Sequence, residues 1–188
     1  DELRSSCMSY LIALLSCTGL RIEEALSLLE NDVDLINKRL FIRDGKFGKQ
    51  RYVPLHESAA LEIQKWYELH DNYISGHGNS PLFLDAQGKR LTYSQALYSF
   101  TRIRKKCEMM KGCHSPRFHD FRHTYACNCI SKWQTTGDVN KNLPVLASVL
   151  GHVDFKSSLV YVHINTAQLH EASALFNKFR KSVKGEIS

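Results

Sequence analysis

The stretch LGHVDFKSSLVYVHI, residues 150–164, sets His152 directly after a glycine and Tyr161 in the helix-like run that follows. A phenol has a pKa of about 10 and is a poor nucleophile at neutral pH unless a neighbour takes its proton. Viewed alone, Tyr161 reads as one more core aromatic. Elsewhere His119 and Arg122 stand three apart in HDFRHT, so a helix would set them on one face. Arg21 falls in the first turn of RIEEALSLLE, where a cation opposes the helix dipole and calls for an anion to hold. Lys46 and Lys49 ride in GKFGKQ between two strand-like runs. His119 and His123 have the spacing of paired zinc ligands in an H-E-x-x-H helix, but Asp120 stands in the glutamate place and Arg122 would put a cation beside the metal. A metal site is not expected there.

The elements that must position these side chains follow from periodicity. SSCMSYLIALLSC reads as a buried helix that stops at Thr18-Gly19, and Ile22, Ala25, Leu26 and Leu29 repeat at helical spacing just after it. RLFIRD and RYVPL read as the strands of a hairpin whose glycine-bearing tip carries the lysines. ESAALEIQKWYELHDNYI is an amphipathic helix, and LFLDAQGKRLT a brief strand and turn. Thr92 and Gln95 form a capping box that opens the helix YSQALYSFTRIRKKCEMM. FHDFRHTYACNCISKW is helical, WQTTGDVNKN reads as a polar connection, and LPVLASVL as a short helix ended by Gly151, a natural left-handed cap. DFKSSLVYVHI and AQLHEASALFNKFRK follow as helices before a charged tail. The expected fold class is mainly α with a small antiparallel β-sheet, in one domain spanning 1–188.

Composition narrows the function classes. With 188 residues, 43% hydrophobic and 23% charged, the chain can bury a real core and is ordinary for a globular protein. No apolar run reaches the length of about 20 residues that spans a bilayer, and the start does not resemble a signal peptide. The chain opens on Asp1, so it reads as a piece of something longer. Net charge is +6. Two basic clusters, Arg39 to Arg51 and Arg102 to Lys111, could line a groove for a polyanion. The cysteines, Cys7, Cys17, Cys107, Cys113, Cys127 and Cys129, are scattered and without a zinc-finger pattern, so reduced thiols are expected.

TGLRIEEAL, DGKFGKQRYVPL, HDFRHT and LGHVDFKSSLVY, in this order and with these gaps, closely resemble the tyrosine recombinase (phage integrase) family. The resemblance runs from about residue 5 to residue 176. It implies the tyrosine recombinase catalytic-domain fold and assigns catalytic roles to Arg21, Lys46, His119, Arg122, His152 and Tyr161, with Glu24 in support. Lys49 is the alternative to Lys46, because Phe47 stands where the family more often has a second glycine.

The residue types suit the chemistry so implied. Attack of Tyr161 on a DNA phosphodiester builds charge on the non-bridging oxygens, which the forked guanidiniums of Arg21 and Arg122 match better than lysines would. His152 can add a hydrogen bond. His119 is the general base for the tyrosine proton, and Lys46 the general acid for the departing 5′ oxygen.

The resemblance therefore implies a DNA strand-transferase of a mobile genetic element. It would work through a 3′-phosphotyrosyl intermediate, with no metal, ATP or other cofactor. Its implied partner is double-stranded DNA, bound as a homotetramer by the full-length protein, while the isolated fragment is monomeric. An N-terminal core-binding domain would precede this chain, and residues 165–188 would be a C-terminal helix and tail exchanged between neighbours. The implied location is the cytoplasm, at the nucleoid, away from membranes. A type IB topoisomerase-like relaxing enzyme and a non-catalytic DNA-binding module are the alternatives. The intact set of six residues disfavours the second.

Overall fold

The computed structural model describes residues 2–43, 45, 50–70, 79–107 and 115–151. Lys46, Lys49, Cys113, His152, Tyr161 and the segment 165–188 lie outside the described residues. Six α-helices and a three-stranded antiparallel sheet make up the described chain. They group into two compact units, residues 1–125 with 148–151 and residues 126–147 with 152–188.

In the first unit, helix α1 (Glu2–Thr18) buries Cys7, Met8, Leu11, Leu14 and Leu15 along one stripe, in keeping with the buried helix read from the sequence. It ends at Gly19, whose φ of 65° lets its N–H donate back to the Leu15 carbonyl at 3.1 Å. A short α2 (Ile22–Ser27) and a 3₁₀ turn (Glu30–Asp32) lead to the sheet. Its strands are β1 (Val33–Asp34), β2 (Arg39–Ile42) and β3 (Arg51–Pro54), in the order β1-β2-β3. Leu40 pairs with Val53, and these two and Ile42 point into the core, while Phe41 and Tyr52 pair on the other face with ring centroids 5.1 Å apart.

Helix α3 (Glu57–His70) packs its Ile63 and Trp66 into the same core, and the indole N–H of Trp66 donates to the Leu82 carbonyl at 3.0 Å. The expected strand at Leu82–Thr92 reduces to isolated bridges, Leu29 with Pro81 and Leu84 with Arg90. Between the bridged residues Asp85 accepts from the backbone of Gln87 and Lys89 to shape a turn. The box at Thr92 and Gln95 is present and opens α4 (Tyr93–Lys106), with the Thr92 hydroxyl accepting from the Gln95 backbone N–H and the Gln95 side-chain Oε1 accepting from the Thr92 backbone N–H. Phe100 of α4 stacks on Phe118 at the start of α5 (Phe118–Thr136), centroids 4.6 Å apart. Arg104 fixes the approach to α5 by donating to the Ser115 hydroxyl and the Pro116 carbonyl.

In the second unit Ala126, Ile130, Leu143 and Leu146 are buried. The polar connection expected over residues 133–142 is instead almost wholly helical. Helix α5 continues to Thr136, and α6 (Val139–Leu150) begins after only two intervening residues. Gly137, at φ 77°, supplies the turn, and the hydroxyls of Thr135 and Thr136 bond back to carbonyls of their own helix. The polar residues there mark exposed helix surface, not a loop. Among the described residues no helix is long and apolar enough to cross a membrane.

Candidate active site

The described residues of the site, Arg21, Glu24, Arg51, His119, Arg122 and the end of α6 at 148–151, lie within the first unit. The turn at Gly19 brings the chain directly into Arg21, which is the N-cap of α2 with extended backbone (φ −71°, ψ 147°). Glu24, in the first turn of that helix, returns its carboxylate to accept the Arg21 backbone N–H at 3.0 Å and the Arg21 Nη1 at 2.9 Å. A carboxylate at a helix N-terminus is favoured by the dipole, and it offsets the arginine that the dipole disfavours.

Glu24 is 4% exposed and has a second cation. Arg51, which opens β3, donates Nη1 to Oε1 at 3.0 Å and Nη2 to Oε2 at 2.8 Å, a forked pair. Each carboxylate oxygen thus accepts two donors, about the full capacity of the group. Burial alone would raise the Glu24 pKa. The Arg51 hydrogen bonds, the Arg21 backbone N–H and the two positive charges outweigh burial and hold the carboxyl below its ordinary value.

The C-terminus of α6 supplies the other wall. Its last carbonyls lack helical partners and carry the negative end of the dipole, so cations collect there. Arg122 of α5, 1% exposed, donates Nη2 to the Leu150 carbonyl at 2.6 Å and Nη1 to the Gly19 carbonyl at 2.9 Å. Arg51 Nε donates to the Val149 carbonyl at 2.7 Å. Arg21 reaches the Leu150 and Gly151 carbonyls at 3.5 Å, long and weak contacts. Gly151, at φ 65°, turns the chain away as expected of it. Three guanidiniums from α2, β3 and α5 therefore converge on one helix end, with a single carboxylate among them. The excess positive charge suits an anion, and Arg21, with 28% of its side chain exposed, keeps a face open to one.

Among the expected site residues, Arg21, Glu24 and Arg122 are brought together. His119 sits on the exposed side of α5, one turn before Arg122, with its ring edge-on to His123 at 4.9 Å. Partial burial, then the neighbouring His123 and Arg122, lower its pKa against the opposing pull of Asp120. That shift favours the neutral imidazole. Among the described residues no group of three His, Cys, Asp or Glu side chains could hold a metal ion. Lys46, His152 and Tyr161 fall outside the described residues.

Arg51 was not expected. It counted only as one of a basic cluster, yet it shares strand parity with Val53, whose side chain is in the core. A cation on the inward face of a strand was the available signal. The other described arginines of that cluster are held by carboxylates of their own. Arg39 is paired with Asp34 and lies over the Tyr52 ring, and Arg43 is paired with Asp32.

Comparison with known proteins agrees with this geometry. The sequence matches the phage integrase family over residues 1–168. It is 34% identical over 161 residues to the protein y4rE of Sinorhizobium fredii, which carries an integrase/recombinase name, covering 85% of this chain and 52% of that one. It is 30% identical over 178 residues to the tyrosine recombinase XerC of Roseiflexus castenholzii, covering 93% of this chain and 52% of that one. The fold is similar to that of the Tn1549 transposon integrase, solved in complex with circular intermediate DNA, with a TM-score of 0.63 at 25% identity over 82% of this chain and 53% of that one. The chain spans about half the length of the curated relatives it matches. With one family matched over residues 1–168 and a recombinase fold around the arginine cluster, the chain belongs to the phage integrase family, the tyrosine recombinases.

Proposed function

We propose that this protein is a site-specific recombinase of a mobile genetic element that cuts and rejoins DNA strands through a covalent tyrosine intermediate. The observation that carries the proposal is the meeting of Arg21 and Arg122 at the Leu150 carbonyl, at the head of the segment that leads to His152 and Tyr161. Two fixed guanidiniums next to a nucleophile-bearing segment suit a phosphodiester whose charge grows in the transition state. Loss of one such donor typically costs on the order of 100-fold or more in rate.

In the proposed step the Tyr161 oxygen attacks phosphorus, the bond from phosphorus to the 5′ oxygen breaks, and a 3′-phosphotyrosyl bond forms. His119 takes the tyrosine proton and Lys46 gives a proton to the leaving 5′ oxygen. Arg21 and Arg122 hold the non-bridging oxygens, and His152 adds a hydrogen bond to them. The phosphotyrosyl bond conserves the energy of the broken one, so the reverse attack by another 5′ hydroxyl rejoins strands without ATP. The substrate is duplex DNA in the cytoplasm, at the nucleoid, with the full-length protein acting as a tetramer across two sites and the isolated chain a monomer. Because phosphate contacts release counterions, binding weakens steeply with salt.

The test uses a nicked duplex made from the DNA that flanks the gene, so that the cut fragment diffuses away and traps the intermediate. The wild-type chain forms a covalent adduct and Tyr161→Phe forms none. An undiminished adduct in Tyr161→Phe would show that another group is the nucleophile.

A further inference from the structure

We infer that Arg51 is a positioning residue for strand cleavage, a clamp that joins the base of the β2–β3 hairpin, the Glu24 carboxylate and the end of α6 into one rigid frame behind Arg21. The inference rests on the reaction proposed above and adds to it a residue that acts through Glu24 and the end of α6.

The geometry is that of a single guanidinium donating three hydrogen bonds of 2.7–3.0 Å, two to Glu24 and one to the Val149 carbonyl. Its side chain is 10% exposed. The α6 end is shaped to admit it: a Cβ added at Gly151 would lie 2.9 Å from Arg51 Cζ and Nη1, so the backbone passes there only because no side chain is present. Arg51 pairs with Ile42 across the hairpin, at the mouth of the connection that carries Lys46 in sequence. Glu24, gripped on both oxygens by Arg51, keeps its remaining directions for the backbone and Nη1 of Arg21. Val149 precedes Leu150, whose carbonyl receives Arg122. One side chain therefore links α2, which carries Arg21 and Glu24, the strand that follows Lys46 in sequence, and the end of α6, whose Leu150 carbonyl receives Arg122.

Lysine cannot reproduce this. Its ammonium is a point charge on a flexible stem, and it lacks the planar fork that grips two carboxylate oxygens and a carbonyl at once. The charged groups facing Glu24 are Arg21 at the start of its own helix, Arg51 on β3, and Asp32, Arg43 and Arg90, which line a cavity with it. Of these, Asp32 and Arg43 are paired with each other and Arg90 donates to the Leu26 carbonyl. Arg51 is thus the main cation that holds Glu24 ionised in a buried place.

The experiment has two arms, on the wild-type chain, Arg51→Lys and Arg51→Met, all held well below their unfolding temperatures. The first measures adduct formation and equilibrium binding on the same nicked duplex. Both variants should cleave on the order of 100-fold more slowly, as misplaced catalytic groups do, while duplex affinity changes little. Parallel loss of binding and cleavage, or full rescue by lysine, would make Arg51 a structural or purely charge-bearing residue and overturn the inference. The second arm needs no DNA. It follows the carboxyl carbon of Glu24 by NMR in glutamate-labelled protein, with the signal assigned by its loss in Glu24→Gln. The Glu24 titration should move upward in pH in Arg51→Met, and an unmoved titration would overturn the inference. If the wild type forms no adduct, the proposed function fails while this second arm still decides whether Arg51 governs Glu24.

Discussion

Replacing Glu24 by glutamine keeps the shape of the side chain and removes the charge that two arginines share. Removing one partner of a buried ion pair typically costs about 3–5 kcal/mol, because the remaining charge is left uncompensated. Arg51 would be left so, at 10% exposure, while Arg21, with 28% exposure, can turn toward water. The lower end, about 3 kcal/mol, is therefore expected at neutral pH. The size of the effect depends on pH. Glu24 has a lowered pKa in the folded protein, so its stabilising contribution is complete above the unfolded value of about 4.3 and is lost as pH falls through the folded value. The gap between wild type and Glu24→Gln should be full at pH 7 and should shrink only below about pH 4.

Urea unfolding followed by Trp66 fluorescence reads this directly, since Trp66 is 1% exposed in the unit that holds Glu24. The second tryptophan, Trp133, belongs to the other unit and is replaced by phenylalanine throughout. For a urea slope of about 2 kcal/mol/M, the midpoint should fall by about 1.5 M at pH 7. A fall of less than about 0.5 M, corresponding to about 1 kcal/mol on that slope, or a gap that persists undiminished in acid, would refute the charge-network reasoning.

Other consequences can be measured separately. Gly19→Ala should lower the thermal midpoint more than Gly88→Ala. Both positions have left-handed backbone, worth about 1–2 kcal/mol against alanine, but the Cβ at Gly19 would lie 2.5 Å from the Tyr125 ring while that at Gly88 meets nothing within 4 Å. Arg122→Lys should slow cleavage on the order of 100-fold while duplex affinity drops only modestly, since lysine cannot span the carbonyls of Gly19 and Leu150; equal losses of both would make Arg122 a binding residue. For His119 the sign is that of a base whose pKa is lowered, so the cleavage rate should stay level through pH 7 and fall only below the ordinary histidine value of about 6.5. His119→Gln should be slower and lack that limb, and an unchanged limb would assign it to another group.

Much of this architecture is legible in the chain because local signals and burial agree. The stripe of Leu11, Leu14 and Leu15, the alternation of Leu40 and Ile42 against Phe41, and the box at Thr92 and Gln95 each encode an element whose structure follows. Gly151 reads as a left-handed stop and adopts φ 65°. Strand β1 is too short for its alternation to register, and it exists because Val33 and Asp34 lie opposite Leu40 and Arg39. The polar residues around Gly137 resemble a loop in composition, yet α5 and α6 extend through them with only a glycine turn between. At the site, motif resemblance points to Arg21, Glu24 and Arg122, three residues far apart in sequence that the fold brings together. Arg51 escapes because a count of basic residues ignores which face of a strand each one occupies. What binds it, a carboxylate on α2 and a carbonyl on α6, is remote in sequence and appears only once the chain is folded.

The identity of the DNA-linked residue bears most directly on the proposed chemistry. The adduct formed on the nicked duplex can be digested with protease and nuclease and the linked peptide sequenced by mass spectrometry. A nucleotide joined through its 3′ phosphate to Tyr161 is expected. Attachment to any other residue, or through a 5′ phosphate, would contradict the mechanism at its centre.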